Sequence, residues 1–393
     1  MVTLQATVYQ HLFFIILIAS LFYGLVPLVG AFSVRSRWRR FRTQLMKSSL
    51  RPSLTYKAVH GDKNMAAYRI FGSLQAVQDE NILWLADGNV SVSIDLEGVP
   101  VYILPSVPKG ESIIKTGVYP DESPQRTYWN RIFSLPERTN IFVSGELVHE
   151  DGRSGFRNTK DVPLIVIIYD CDNSNFYSHA ILSGRQRNEY WNVLTPGSLT
   201  IGSFSLFIYF YLLIQMPYMQ FTAVTAITFS LVPVMPFLPP GLLFYYIYRY
   251  FWKKARILRA ERDLLRLPVT FFSDQRGLSM SNTVILSDGA EYRCQIKNNL
   301  EEAWTLFDNA IIRDSSLLES HTERKEYYVF GSESKSKADP MTETLIIPGN
   351  PDVLSLDSTK KAQKYEIFSV FSFGFGFFMN LFIFLTVITL FIR

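Results

Sequence analysis

The sequence predicts a multi-pass α-helical membrane protein with four spans and two cytoplasmic β-rich domains, the first a small barrel or sandwich. Three observations predict it. Residues 199–216 and 221–248 are uncharged apolar runs separated only by Pro217-Tyr218-Met219-Gln220, and two further apolar runs occupy residues 11–32 and 367–392. A hydrocarbon core about 30 Å thick needs roughly 20 apolar helical residues, so each run is long enough to cross it. Basic residues crowd beside these runs rather than spreading along the chain, which is the bias of cytoplasmic flanks. Between the runs, short alternating apolar segments are punctuated by Asp-Gly pairs, the pattern of β-hairpins.

Composition agrees. The 393 residues are 19% charged and 15% aromatic, and the mean hydropathy is +0.10, which suits neither a disordered chain nor an ordinary soluble one. A net charge of +4 is mild, so its placement carries the information. Cys171 and Cys294 lie in different blocks, too few for a disulfide framework, and as reduced buried thiols they agree with a cytoplasmic location.

The first run, residues 11–32, follows uncharged residues and is longer than the apolar core of a signal peptide, so it reads as an uncleaved anchor. Arg35, Arg37, Arg39, Arg40 and Arg42 follow it, and no acid precedes Asp62. Such a run can mark a nucleic-acid patch. Here it abuts a span, so it is read as a topology-determining flank, and no nucleic acid is expected as a partner. Trp38 among the arginines suits the headgroup level.

Residues 53–185 form the first soluble block. Strands are expected from Ala67 to Val77, then at Ile82–Leu85 and Val90–Ile94 around Asp87-Gly88. Val99–Leu104 is a further strand, followed by a loop carrying Pro108, Pro120, Pro124 and Pro136. Ile141–Val148 and a continuous apolar strand, Leu164–Tyr169, flank the turn at Asp151-Gly152. No long helix stands out among them. Tyr190 and Trp191, just ahead of the hairpin of spans, read as interfacial anchors.

The second arm of that hairpin, 221–248, contains Pro233, Pro236, Pro239 and Pro240 before Gly241. Each interior proline removes a helical hydrogen bond, so the arm is expected to be broken or sharply bent, with the first or last span beside the break. Residues 249–267 continue as a helix with Ile257, Leu258, Leu264 and Leu265 on one face and Lys253, Lys254, Arg256 and Arg259 elsewhere. An interfacial helix on anionic lipid and a stalk packing on the next domain both fit; the direct continuation from a span favours the stalk. The second block, 268–357, is read as α+β. A strand is expected at Val269–Phe272, a hairpin around Asp288-Gly289, a helix from Leu300 to Arg313 and strands at Tyr327–Phe330 and Leu345–Ile347. The polar tract from Ser332 to Thr344 reads as a mobile loop.

An echo links the blocks. Phe142-Val143-Ser144-Gly145 and Tyr328-Val329-Phe330-Gly331 share a Val-X-Gly pattern, and Ile181-Leu182-Ser183 and Val353-Leu354-Ser355 each precede a polar run into a span. A duplicated unit of β-domain plus span is one explanation and chance is the other. The succession of strand, Val-X-Gly, turned hairpin, buried strand, Leu-Ser and span resembles the membrane-tethered β-domains of the GIDE and NfeD groups. That resemblance implies an OB-like fold for the first block. It does not carry over ligase activity, because the clustered Cys and His of a zinc-binding RING are missing.

Catalytic signatures are not evident. The five histidines are scattered, with no HExxH, GxSxG, P-loop or GxGxxG, and no cofactor or metal is expected. His149-Glu150-Asp151 reads as a solvated hairpin tip, and Asp170-Cys171-Asp172 as a structural thiol at a strand end. The spans lack Asp, Glu, Lys and Arg in their cores, which argues against a pump or an intramembrane aspartyl protease. Two functional classes follow. The first is an integral membrane scaffold that presents its β-rich domains to a protein partner, with membrane lipid around it. The alternative is a membrane-bound enzyme or accessory subunit with a site between the cytoplasmic domains.

Overall fold

A computed structural model describes residues 2–60, 66–78, 81–88, 90–106, 122–132, 134–150, 153–186, 188–272, 278–285, 291–306, 311–312, 326–332 and 344–392. In chain order the first elements are α1 (Val2–Ala19), a π-helical segment (Ser20–Leu25), α2 (Val26–Ser49) and α3 (Tyr56–His60). Eight strands follow: β1 (Ala66–Gln78), β2 (Ile82–Asp87), β3 (Val90–Asp95), β4 (Pro100–Ile103), β5 (Gln125–Tyr128), β6 (Asn140–Glu150), β7 (Arg153–Arg157) and β8 (Ile165–Tyr169). Next come α4 (Phe176–Ser183), α5 (Leu194–Ile214), α6 (Gln220–Ser230) and α7 (Gly241–Val269). The last part holds β9 (Ser281–Ile285), β10 (Glu291–Lys297), α8 (Leu300–Thr305), β11 (Ile311–Ile312), β12 (Tyr327–Ser332), β13 (Leu345–Pro348) and α9 (Pro351–Ile392). The chain divides into two compact units. One is helical (residues 1–39, 188–255 and 362–393); the other holds all the strands (40–187 and 256–361).

Among the described residues, three helices are long and apolar enough to cross a membrane: Thr7–Ser49, Leu194–Ile214 and Pro351–Phe391. The 221–248 arm is divided instead. It consists of α6, a proline-rich break containing a 3₁₀ turn at Met235–Phe237, and the start of α7. Freed backbone carbonyls in such a setting need donors from neighbouring segments. Asn380 on α9 adds one, its Nδ2 donating to Met235 O at 2.6 Å and Leu238 O at 2.9 Å, beside the Leu238 and Leu242 backbone N–H groups that the same carbonyls accept. Gly241 allows the approach, since a Cβ there would collide with the Asn380 amide. A second proline is handled in the same way. Pro27 has no N–H for the Tyr23 carbonyl, and Val26 N bonds Leu21 O in π register. The Tyr190 hydroxyl donates to Tyr23 O and Ser198 Oγ to Phe22 O, both at 2.6 Å. Tyr190 therefore caps a break as well as sitting beside a span.

In the strand-bearing unit, the first sheet has eight strands in the order β1-β2-β3-β7-β6-β8-β4-β5, and β1 also pairs with β6. That extra ladder closes β1, β2, β3, β7 and β6 into a ring. Period-two alternation explains its filling. Ile70 and Leu74 of β1, Leu83 and Leu85 of β2, Val92 and Ile94 of β3 and Ile141 and Val143 of β6 all point into one core with Phe156. The opposite faces of β1, β6 and β8 carry Phe71, Phe142 and Tyr169, which meet Phe176 of α4 at ring separations of 4.6–5.3 Å. Strand β8 is buried along its whole length because it faces the ring core on one side and this aromatic layer on the other.

The second sheet has five strands in the order β11-β13-β12-β10-β9. Its core of Tyr292, Cys294, Tyr328, Phe330 and Ile347 includes Leu265 of α7, so the end of that helix's apolar stripe packs on the second block; Ile257, Leu258 and Leu264 are buried as well. The two sheets share a pattern. β1-β6-β8-β4 and β10-β12-β13-β11 follow the same succession of antiparallel, antiparallel and parallel ladders. In both, the strands come in the same relative chain order.

Several local expectations are corrected. Helix α4, which the sequence reading passed over, occupies 176–183 and is buried throughout. Residues 269–272 end α7 and form a 3₁₀ turn rather than a strand, so Pro268 lies inside the helix. The helix expected from Leu300 to Arg313 stops at Thr305, and Ile311–Ile312 pairs with β13. Strand β5 forms inside the expected proline loop. Trp38 is buried against protein, 8% exposed. The turns at Asp151-Gly152 and Asp288-Gly289, most of the 332–344 tract, and Phe307 lie outside the described residues.

Candidate functional site

Alternation that fills the ring also builds a surface on its outside. With Leu83, Leu85, Val92, Ile94 and Phe156 inward, Ile82 and Trp84 of β2, Ser93 and Asp95 of β3, and Arg153, Gly155 and Arg157 of β7 share the outer face. Register aligns them: Trp84 opposes Ser93, and Ser93 opposes Gly155. Together with Gln78, Val148 and Phe156 they line a concavity of ≈ 430 Å³. Gly155 at its floor leaves room for the Ser93 hydroxyl, which a Cβ there would meet at 2.6 Å and turn aside. Trp84 Nε1 donates to Gln78 Oε1 at 2.9 Å, which fixes the indole plane. Asp95 Oδ1 accepts the Glu97 backbone N–H at 3.0 Å. The result is a flat aromatic wall flanked by two guanidinium groups and one carboxylate, suited to holding an extended ligand that carries acidic and apolar groups.

A larger concavity of ≈ 910 Å³ lies past the carboxyl ends of the parallel pair β4 and β8, lined among others by Glu137, Arg138, Asp170, Cys171, Asp172 and Asn173. Arg138 has φ 63°, the only positive value at a non-glycine among the described residues. Burial, with Asp170 and Asp172 adding to it, pushes the Cys171 thiol up to about 12. It is therefore a neutral thiol at ordinary pH and a poor nucleophile or metal ligand. Cys294 is pushed up to about 12 by burial alone. Among the described residues no group of three or more His, Cys, Asp or Glu side chains is arranged to hold a metal. His149 sits on an exposed strand end with its Nδ1 2.7 Å from Ser154 Oγ.

The predicted basic flank divides by environment. Arg35, Arg37, Arg39 and Arg40 are exposed on α2, whereas Arg42 is half-buried and donates to Gly184 O at 3.3 Å. Lys253, Lys254, Arg256 and Arg259 are all half-buried on α7, and Lys254 Nζ lies 4.4 Å from the Tyr250 ring centroid. The sequence reading missed what faces them. Glu261 and Asp263 on the same helix are buried, and Asp263 pairs with Arg185 from the end of the first block and with Arg262. Burial lowers the Arg185 pKa while Asp263 opposes that shift. Nearby in sequence, His179 is 0% exposed, neither ring nitrogen has a hydrogen-bond partner, and burial lowers its pKa to about 4 against a smaller opposing effect of Asp170. Its position inside an apolar helix, Ala180-Ile181-Leu182, was the available signal. The chain matches no protein-family model, no curated protein and no solved structure.

Proposed function

We propose that this chain is a multi-pass membrane scaffold whose two β-rich blocks face the cytoplasm and bind a protein partner. The observation that carries the reading is the outer concavity on β2, β3 and β7. It offers an aromatic wall and two arginines, the equipment of a recognition surface rather than of bond-breaking chemistry. Ring order β1-β2-β3-β7-β6, with β3 and β7 parallel and the other ladders antiparallel, supports an OB-like reading of the first block. In such folds the strand 2–3 face is a common ligand surface. It also keeps the likeness to GIDE- and NfeD-type tethered β-domains as a proposal. The exposed arginines of α2 support the orientation, the first span entering from outside and ending at anionic headgroups. The partner suited to the concavity presents acidic residues beside an apolar anchor.

A photo-crosslinking residue at Gln78, in the full chain in native membranes, tests this. A discrete adduct with another protein, lost on Arg153→Glu and absent from the same probe at Lys160, supports the reading. The enzyme alternative places its site between the two blocks, whereas the larger concavity is lined by the first block alone. If Asp170→Asn or Asp172→Asn abolishes cellular function while the Gln78 adduct persists, that alternative takes over. Impermeant thiol labelling of His60→Cys from outside intact cells would overturn the cytoplasmic placement.

A further inference from the structure

Strands at the edge of a sheet expose a row of backbone donors and acceptors, and monomeric proteins guard them with charge, proline or shortness. Three described strands have a ladder on one side only: β5, β9 and β11. Two are guarded. β5 carries Arg126, whose guanidinium lies 5.8 Å from the Tyr128 ring centroid, and β11 is two residues long. β9 has neither protection. From Gly277 to Ser287 the sequence contains no charged residue and no proline.

The register shows which groups are offered. Ile296 N donates to Met280 O at 3.2 Å, and hydrogen-bonded pairs alternate along an antiparallel ladder. Met280, Asn282 and Val284 therefore direct their backbone groups to β10, while Ser281, Thr283 and Ile285 direct theirs outward. These three residues are also exposed, Ile285 to 71%. Comparison of the sheets indicates what belongs there. β9 flanks β10 as β2 flanks β1, but β2 is covered on its far side by antiparallel β3, and among the described residues no strand covers β9.

We propose that β9 pairs antiparallel with β9 of a second copy of this chain, joining two five-stranded sheets across a two-fold axis at Thr283. A two-fold interface needs one self-complementary patch. An uncharged strand meets that condition, because no like charges are brought face to face, and Thr283 meets its own equivalent in a favourable cross-strand pair. Ser281 opposes Ile285 of the other copy in this register.

Cysteine crosslinking of the full chain in native membranes tests it. Cys171 and Cys294 are buried, which keeps background low. A hydrogen-bonded antiparallel pair places Cα atoms about 5.5 Å apart, within the disulfide range of roughly 4.4–6.8 Å. Thr283→Cys should give an oxidised band at twice the 45.2 kDa monomer, at least tenfold stronger than Glu301→Cys. Co-expressed Ser281→Cys and Ile285→Cys chains should crosslink to each other, and neither to itself. Adding Ile285→Lys to Thr283→Cys should remove the band; Ile285 is exposed, so the fold is not at stake. Equal crosslinking at Thr283 and Glu301, or a Thr283 adduct to a different protein, overturns the proposal. So does a native-like fold of Thr283→Cys with no dimer.

Discussion

Replacing His179 with phenylalanine should make the protein more tolerant of acid. In the folded chain the imidazole is buried, unpaired and titrates near 4, against an ordinary value of 6.5. Between those values the unfolded chain holds a proton that the folded chain does not, so stability falls as pH drops from 6.5 towards 4 and falls no further below that. A gap from 6.5 to about 4, at about 1.4 kcal/mol for each pH unit, amounts to about 3 kcal/mol. That is a large share of a typical domain's stability of about 5–15 kcal/mol. Phenylalanine binds no proton, and no hydrogen bond is lost with the ring nitrogens, so the variant should lie within about 1.5 kcal/mol of wild type at pH 7.5. Pulse proteolysis of the full chain in detergent micelles, titrated with urea at pH 7.5, 6.5, 5.5 and 4.5, measures both profiles. Groups common to both proteins cancel in the difference. A stability gap that opens in favour of the variant by about 3 kcal/mol at low pH is expected; parallel profiles would show that His179 is solvated or charged in the folded state.

Three further outcomes are expected. Arg185→Met leaves the buried Asp263 carboxylate with Arg262 as its remaining partner and should cost up to about 3 kcal/mol, part of it recovered in the Arg185→Met/Asp263→Leu double variant; simple additivity in urea titrations would mean the pair is not coupled. Asn380→Leu removes the side-chain donor from the Met235 and Leu238 carbonyls, which keep the Leu238 and Leu242 backbone N–H groups, and should lower stability in micelles by about 1 kcal/mol; an unchanged thermal midpoint would mean the backbone donors alone serve that break. Maleimide should label Cys171 and Cys294 only after denaturation, and rapid labelling of the native chain at pH 7.5 would contradict their placement as buried, protonated thiols.

What was legible in the sequence was periodicity and punctuation. Strands β2, β3, β6 and β8 are runs of four or more residues whose alternation or continuous apolarity is strong enough to read without context, and tertiary packing agrees with it. The proline cluster announced the break at 231–240 because proline acts through its own covalent geometry. Helix α4 was missed since eight residues carry too little periodicity to stand apart from a buried strand, and its helicity is settled by the aromatic layer it covers. Val269–Phe272 has strand propensity, yet it continues a helix already nucleated upstream. The outer concavity was illegible for a different reason. Trp84, Ser93, Gly155 and Arg157 become neighbours only through the β2–β3 and β3–β7 ladders, and a parallel pairing between segments this far apart leaves no local trace. Glu261 and Asp263 were overlooked among the surrounding basic residues, although a lone acid in such a run is the natural partner for a buried arginine.

The short echo between the blocks acquires weight from where its residues fall. Val143-Ser144-Gly145 lies on β6 and Val329-Phe330-Gly331 on β12, and these strands hold the same place in the shared four-strand pattern. Leu182-Ser183 and Leu354-Ser355 lie on the helices that follow the last shared strand, β8 and β13. The matches thus agree in strand rank, ladder direction and the following helix together, which is what a duplicated β-block would leave. The two sheets differ in one respect that matters physically. The first block adds β3 and β7, which close its sheet into a ring and leave β5 as a guarded edge. Among the described residues the second ends at β9. A sheet can remove an edge by closing on itself or by acquiring a strand from outside; the first sheet takes the first course, and the second course is the one proposed for β9.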